Sequence, residues 1–221
     1  MNIFSFTGDI LHLASILILL LKIYTTKNVR GISLYTQILY LVVFLCRYSD
    51  LFWNFYSVYN EIMKVVFIVS SSAIVYLFIV DRRYSTTYDK STEQPVLLAY
   101  ICLPCLVLCV LLTSQYTIFE LLWTFSILLE SVAIVPQLLL VHNHAKSNNG
   151  FIENLTSNYV FTLGGYRAMY IINWIYRYIT EPHFHNWLPV ICGLIQTGIY
   201  GDFFYYYITA SMNGMYIALC V

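Results

Sequence analysis

"FLCRYSDLFWNFY" occupies residues 44–56 and closes a stretch, Leu34 to Tyr56, that otherwise reads as apolar and aromatic. Arg47 and Asp50 lie inside it, three residues apart. Residues at that spacing share one face of a helix. An ionisable group in lipid is costly, so it normally faces protein or water and marks function. The stretch therefore reads as a membrane span with a polar inward face, and the rest of the chain is read outward from it.

Composition agrees. The 221 residues are 60% hydrophobic, 18% aromatic and only 10% charged, with 21 tyrosines. A soluble domain carries about 25% charged residues, so this chain cannot coat a soluble surface of its size. Tyrosine at this density suits membrane interfaces or an aromatic-lined polar cavity. Eleven basic residues balance eleven acidic ones, and nothing suggests a nucleic-acid partner. The cysteines, including the C-x-x-C of "CLPCLVLC" (102–109), lie in apolar context or at the chain end and read as packing residues, not a metal or redox site.

A spanning helix needs about 20 mostly apolar residues. Seven segments qualify: 3–21, 34–56, 62–80, 95–113, 117–141, 157–179 and 187–208, leaving a tail at 209–221. The expectation is an all-α membrane protein with seven transmembrane helices in a single domain. Lysines and arginines in the connections set orientation. Lys22, Lys27, Arg30, Arg82, Arg83, Lys90 and Lys146 fall on one side and Lys64 on the other. The first set marks the cytoplasm, so the N-terminus is expected in the lumen and the C-terminus in the cytoplasm. The sequon at Asn154 then lies in the cytosol, unmodified. The connections 81–94 and 142–154 read as polar loops, with His142 and His144 solvated.

Other polar residues repeat the geometry of Arg47 and Asp50. Arg167, Tyr170, Trp174 and Arg177 step by three, four and three along the sixth span. Glu120, Trp123 and Glu130 share a stripe on the fifth, and Asp9 and His12 are three apart on the first. Together they describe a polar funnel open to the lumen with arginines at graded depth. The plainer alternative is internal ion pairing, Arg47 with Asp50 and Arg167 with Glu130. A guanidinium fork matches a carboxylate with two parallel hydrogen bonds, so such a funnel suits a ligand bearing several carboxylates. Asp50 and Glu120 would receive a cation at its other end.

Five stretches, "MNIF…TGDILHLASILILLLKI", "CRYSDLF", "LLWTFSILLESVAIVPQL", "LGGYRAMYIINWIYRY" and "GDFFYYYI", together resemble the KDEL receptor family in order and spacing over nearly the whole chain. Pro136–Gln137 is also similar to the PQ-loop and SWEET transporters. The resemblance implies two three-helix bundles joined by an inverting fourth helix. It implies a receptor that binds the C-terminal K-D-E-L retrieval signal of escaped luminal residents of the endoplasmic reticulum. Binding would occur in the acidic Golgi, with return in vesicles by retrograde transport. By resemblance, Arg47 and Tyr48 hold the terminal carboxylate and Arg177 an acidic side chain. Asp50, Glu120 and Trp123 receive the basic residue. Tyr166, Arg167, Tyr170, Asn173 and Trp174 match ligand contacts and cavity supports. His12, with Glu130 and Tyr166, matches a proton-sensitive network, the proton being the effector and no cofactor being implied. Asp202 matches a position tied to the transport response.

Two departures stand out. Ser5 replaces the arginine usual in the family, which predicts weaker binding of a standard signal or preference for a variant with a less acidic residue there. The tail lacks lysine and arginine, whereas the family usually recruits coat protein I machinery through a lysine-bearing tail. The alternative function is a SWEET-like carrier of a small anionic solute. A G-protein-coupled receptor is a weaker fit, since "DRRY" (81–84) reads as a basic boundary. A retinal protein is disfavoured because the seventh span has no lysine. No nucleophile–base pair or metal spacing points to an enzyme.

Overall fold

The computed structural model describes residues 2–51, 53, 55, 57–90, 93–147, 154–181 and 187–212; side chains at 144–147, 154–157, 202–203 and 206–212 are outside the description. The helices are α1 (Ile3–Thr26), α2 (Leu34–Arg47), α3 (Val58–Ile79), α4 (Arg82–Ser85), α5 (Val96–Leu112), α6 (Ile118–Val132), α7 (Val135–Ser147), α8 (Asn154–Thr180) and α9 (Trp187–Met212). The chain is an all-α membrane protein. Three helical stretches are long and apolar enough to cross a bilayer, Ile3–Thr26, Val58–Ile79 and Ile118–Asn143, and shorter apolar helices include Leu34–Arg47, Val96–Leu112 and Trp187–Gly201.

Local chemistry sets the helix ends. The side chains of Asn2, Ser33, Ser57 and Thr117 accept the backbone N–H three residues on, and so cap α1, α2, α3 and α6. Helix α1 stops where Lys27 adopts a left-handed conformation, and Gly31 turns the chain back with φ 76°. The fifth expected span is two helices, because Pro136 has no N–H and its ring crowds the carbonyl four residues back at Val132, the last residue of α6. The second expected span also ends early. Helix α2 closes at Arg47, and Tyr48 to Leu51 form turns in which Leu51 N–H donates to the Tyr48 carbonyl. Asp50 is therefore off the helix, and its spacing from Arg47 does not put the two on one helical face.

The exterior is strongly apolar, and the largely apolar interior also holds many polar side chains. Leu103, Val107 and Leu111 on α5 are exposed, as are Leu17 and Leu21 on α1, while Ser15, Gln37, Ser126, Gln137, Asn173 and Gln196 are buried. A lipid-facing exterior explains the first group, and hydrogen bonds within and between helices account for buried polar groups such as Ser15, Ser126, Gln137, Asn173 and Gln196. Two basic residues assigned to connections belong to this interior. Lys22 on α1 donates to the Arg30 carbonyl at 2.8 Å, and Lys64 lies on α3. The polar segment after residue 141 begins as helix, since α7 runs to Ser147 with His142 exposed; the His144 side chain lies outside the described residues.

The chain divides into two compact units, residues 1–32 with 138–221, and residues 33–137. In the first, α8 packs along α1 and against α9; in the second, α6 packs on α2 and α5, and α3 on α2. These packing groups do not follow the consecutive triplets of spans that the resemblance implies. Repeat relationship and packing are separate properties, and here α1 associates with α8, more than a hundred residues away.

Candidate functional site

In the second unit the central group is Arg47. Its place at the C-terminus of α2 is favourable for a cation, because the last carbonyls leave negative partial charge there. Its Nη1 is 2.6 Å from Glu130 Oε2, and its Nε donates to Ser126 Oγ at 3.2 Å. Ser126 and Glu130 are four apart on α6 and so present one face to α2. Ser126 donates its own proton to the Trp123 carbonyl, 2.7 Å away, and its oxygen remains an acceptor for Arg47. The Glu130 side chain is 5% exposed and that of Arg47 21%.

The ion pairing suggested by sequence spacing is thus corrected. Arg47 engages Glu130, and Asp50 engages Lys64, with Nζ–Oδ1 at 3.3 Å. Lys64 also contacts Glu61 at 3.0 Å. Glu120 sits in the first turn of α6, where its backbone is capped by Thr117 and its carboxylate accepts from Ser114 Oγ at 3.0 Å. Tyr48 stacks with Phe44, ring centroids 5.9 Å apart. At the other end of this unit Gln137 fastens α2: its Oε1 accepts the Ser33 N–H and its own N–H donates to Thr36 Oγ1.

The first unit holds the remaining residues along the contact of α1 with α8. Tyr170 Oη donates to Asp9, and the His12 imidazole lies flat on the Tyr166 ring, 4.1 Å between centroids and 6° between planes. Gln196 on α9 donates to Tyr166 Oη at 3.3 Å. The Arg167 guanidinium is buried 5.3 Å from the Tyr166 ring and 5.9 Å from that of Trp174, within cation–π range. Two glycines permit this packing. A Cβ on Gly8 would come within 2.9 Å of Tyr170, and one on Gly193 within 2.3 Å of Trp174. Asn2 Nδ2 donates to Asn173 Oδ1 at 2.6 Å, and joins the start of α1 to α8.

Ser5 spends its hydroxyl locally, donating to the Asn2 carbonyl, and its N–H receives the cap. Arg177 grips Glu181 in a fork, Nε to both carboxylate oxygens at 2.9 and 3.0 Å and Nη2 to Oε2 at 2.8 Å. Those hydrogen bonds hold the Glu181 carboxyl below the usual carboxylate range. This pair is exposed, so it contributes little and exchanges readily. Asp202 falls within α9, but its side chain lies outside the described residues.

Sequence reading missed Asn2, Lys64, Ser126 and Gln196. Only Lys64 carried a usable signal, as a lysine within an otherwise apolar run. Among the described residues no three His, Cys, Asp or Glu side chains gather as a metal site. The candidate residues thus form two sets, each within its own unit, one around Arg47 and one along α1–α8. Each offers guanidinium, aromatic and carboxylate groups.

Comparison with known proteins covers both sets. Residues 28–177 match the model of the family described as ER lumen protein retaining receptor. The chain is 53% identical over 211 residues to ER lumen protein-retaining receptor A of Arabidopsis thaliana, covering 94% of each chain. It is 49% identical over 219 residues to the ER lumen protein-retaining receptor of Petunia hybrida, covering 99% of each. It is 46% identical over 219 residues to that of Drosophila melanogaster, again covering 99% of each.

Proposed function

The chain belongs to the family of ER lumen protein retaining receptors, and from that premise we propose that it captures K-D-E-L-type C-terminal signals in the acidic Golgi and returns their bearers to the endoplasmic reticulum. The family is one of receptors, not enzymes. The chain is accordingly a membrane protein of the secretory pathway that acts on luminal cargo.

One observation supports the signal chemistry most directly: Arg47 meets a carboxylate with good geometry inside a membrane domain and still keeps part of its side chain accessible. A free peptide carboxylate presents the same group as Glu130. Tyr48 neighbours it, and Arg177 would exchange Glu181 for an acidic side chain of the signal. Asp50, Glu120 and Trp123 would receive the basic residue. Tyr166, Arg167, Tyr170, Asn173 and Trp174 would serve, by family resemblance, as ligand contacts and supports. Each charge-assisted hydrogen bond is worth roughly 1.5–3 kcal/mol, and a few of them, less ordering costs, reach micromolar affinity.

Release would follow from deprotonation. His12 is the histidine that stacks inside a helix contact, on Tyr166, with Asp9 one turn away. A protonated imidazole there would favour the ligand-holding form, and by linkage bound ligand would raise proton affinity. With the N-terminus luminal and the C-terminus cytoplasmic, as the basic connections suggest, the ligand face would lie in the lumen. Coat protein I machinery would then be met by a cytoplasmic surface other than a basic tail, with Asp202 in the transport response.

The test is binding of labelled tetrapeptides, free acid against amide, to the full chain in detergent at acidic and neutral pH. The expected result is tight binding of the free acid at acidic pH only, at least about tenfold weaker binding of the amide, and loss of the pH dependence in His12→Ala. Equal binding of acid and amide overturns the reading. Peptide-independent flux of a small anion in proteoliposomes would replace it with a carrier.

A further inference from the structure

One buried ionic cluster is not explained by carboxylate capture. Lys64 on α3 is 4% exposed, and its ammonium contacts Asp50 at 3.3 Å and Glu61 at 3.0 Å. Glu61 lies in the first turn of α3, less than one turn before Lys64, where a carboxylate also suits the helix N-terminus. Asp50 comes from the turns after α2. One cation thus serves two carboxylates, and both keep some solvent access, 21% for Asp50 and 16% for Glu61. A structural ion pair needs one partner, and stranding a buried charge is strongly destabilising. The second carboxylate removes that penalty: Asp50 can leave Lys64, because Glu61 still holds it.

We propose that Lys64 and Glu61 set how strongly the receptor prefers a basic side chain in its ligand: Lys64 is a tethered ammonium that competes with the ligand's cation for Asp50, and Glu61 retains Lys64 when the ligand wins. This rests on the reading of Asp50 as acceptor of the ligand's basic residue. Exchange of one ammonium for another leaves the charge around Asp50 nearly constant. The ligand's gain is then the difference between two similar contacts, and it depends on how well Glu61 takes over Lys64. Without Lys64 the full attraction of two carboxylates acts on the ligand. Without the charge on Glu61, Lys64 depends more on Asp50 and yields it less easily.

The experiment measures a ratio. Fluorescent K-D-E-L and A-D-E-L peptides are titrated against the full chain in detergent micelles, as wild type, Lys64→Met and Glu61→Gln. One charge-assisted hydrogen bond corresponds to about a tenfold change in affinity or more. The ratio of the two affinities is expected to rise about tenfold in Lys64→Met and to fall about tenfold in Glu61→Gln. A purely structural role would weaken both peptides together and leave the ratio unchanged, and that result overturns the proposal, as does movement of the ratio in the same direction in both variants. Should Lys64→Met fail to fold, the near-isosteric Glu61→Gln decides alone. Wild type binding neither peptide overturns the receptor reading and this proposal with it, whereas binding with an unmoved ratio overturns only the proposal.

Discussion

Removal of the Arg47 charge, as Arg47→Met, is the sharpest probe of the second unit. At 2.6 Å the gross attraction between guanidinium and carboxylate is about 6 kcal/mol at an effective dielectric of about 20. Desolvation of the two ions offsets most of it. The intact pair is therefore worth little against an apolar pair of the same volume. The single variant is a different matter, because Glu130, 5% exposed, would keep its charge without the guanidinium. The expected cost is about 3–5 kcal/mol. Arg47→Met with Glu130→Leu should return to within about 1 kcal/mol of wild type, because no charge is then stranded. The assay is reversible unfolding in mixed detergent micelles, read as a double-mutant cycle of Arg47→Met, Glu130→Leu and the pair. Coupling of about 2–4 kcal/mol is expected. If Arg47→Met alone falls within about 0.5 kcal/mol of wild type, Glu130 does not depend on Arg47, and the account of the site around α2 and α6 is wrong.

Three other changes follow from the geometry. Gly193→Ala places a methyl group 2.3 Å from the Trp174 ring; it should cost about 1–3 kcal/mol of stability by overpacking and alter Trp fluorescence, and an unchanged spectrum would count against the close contact. Gln137→Leu leaves the buried Ser33 N–H without its acceptor; a loss of about 1–3 kcal/mol in the same unfolding assay is expected, and no loss would mean the α2 start is held some other way. Ser5→Arg replaces a hydroxyl used only at the helix start with a charge; affinity for K-D-E-L should rise about tenfold in a peptide titration, and no gain would refute the cost assigned to Ser5.

Much of this molecule is local information. Apolar length marked the chain as an all-α membrane protein, capping residues such as Ser33 and Thr117 began helices, and spacing by three and four put Arg167, Tyr170, Trp174 and Arg177 along one helix, because a helix repeats every 3.6 residues. Partner choice was not local. Arg47 meets Glu130 rather than Asp50 because α2 ends at Arg47 and α6 packs beside it. Asp50 is matched by Lys64, and His12 finds Tyr166 154 positions away in the chain, as α8 packs along α1. Periodicity names the face that a side chain occupies, but which other face it meets depends on how helices far apart in the chain pack together. That is why charge and spacing alone revealed a polar interior, and only the tertiary structure decided which cation holds which carboxylate.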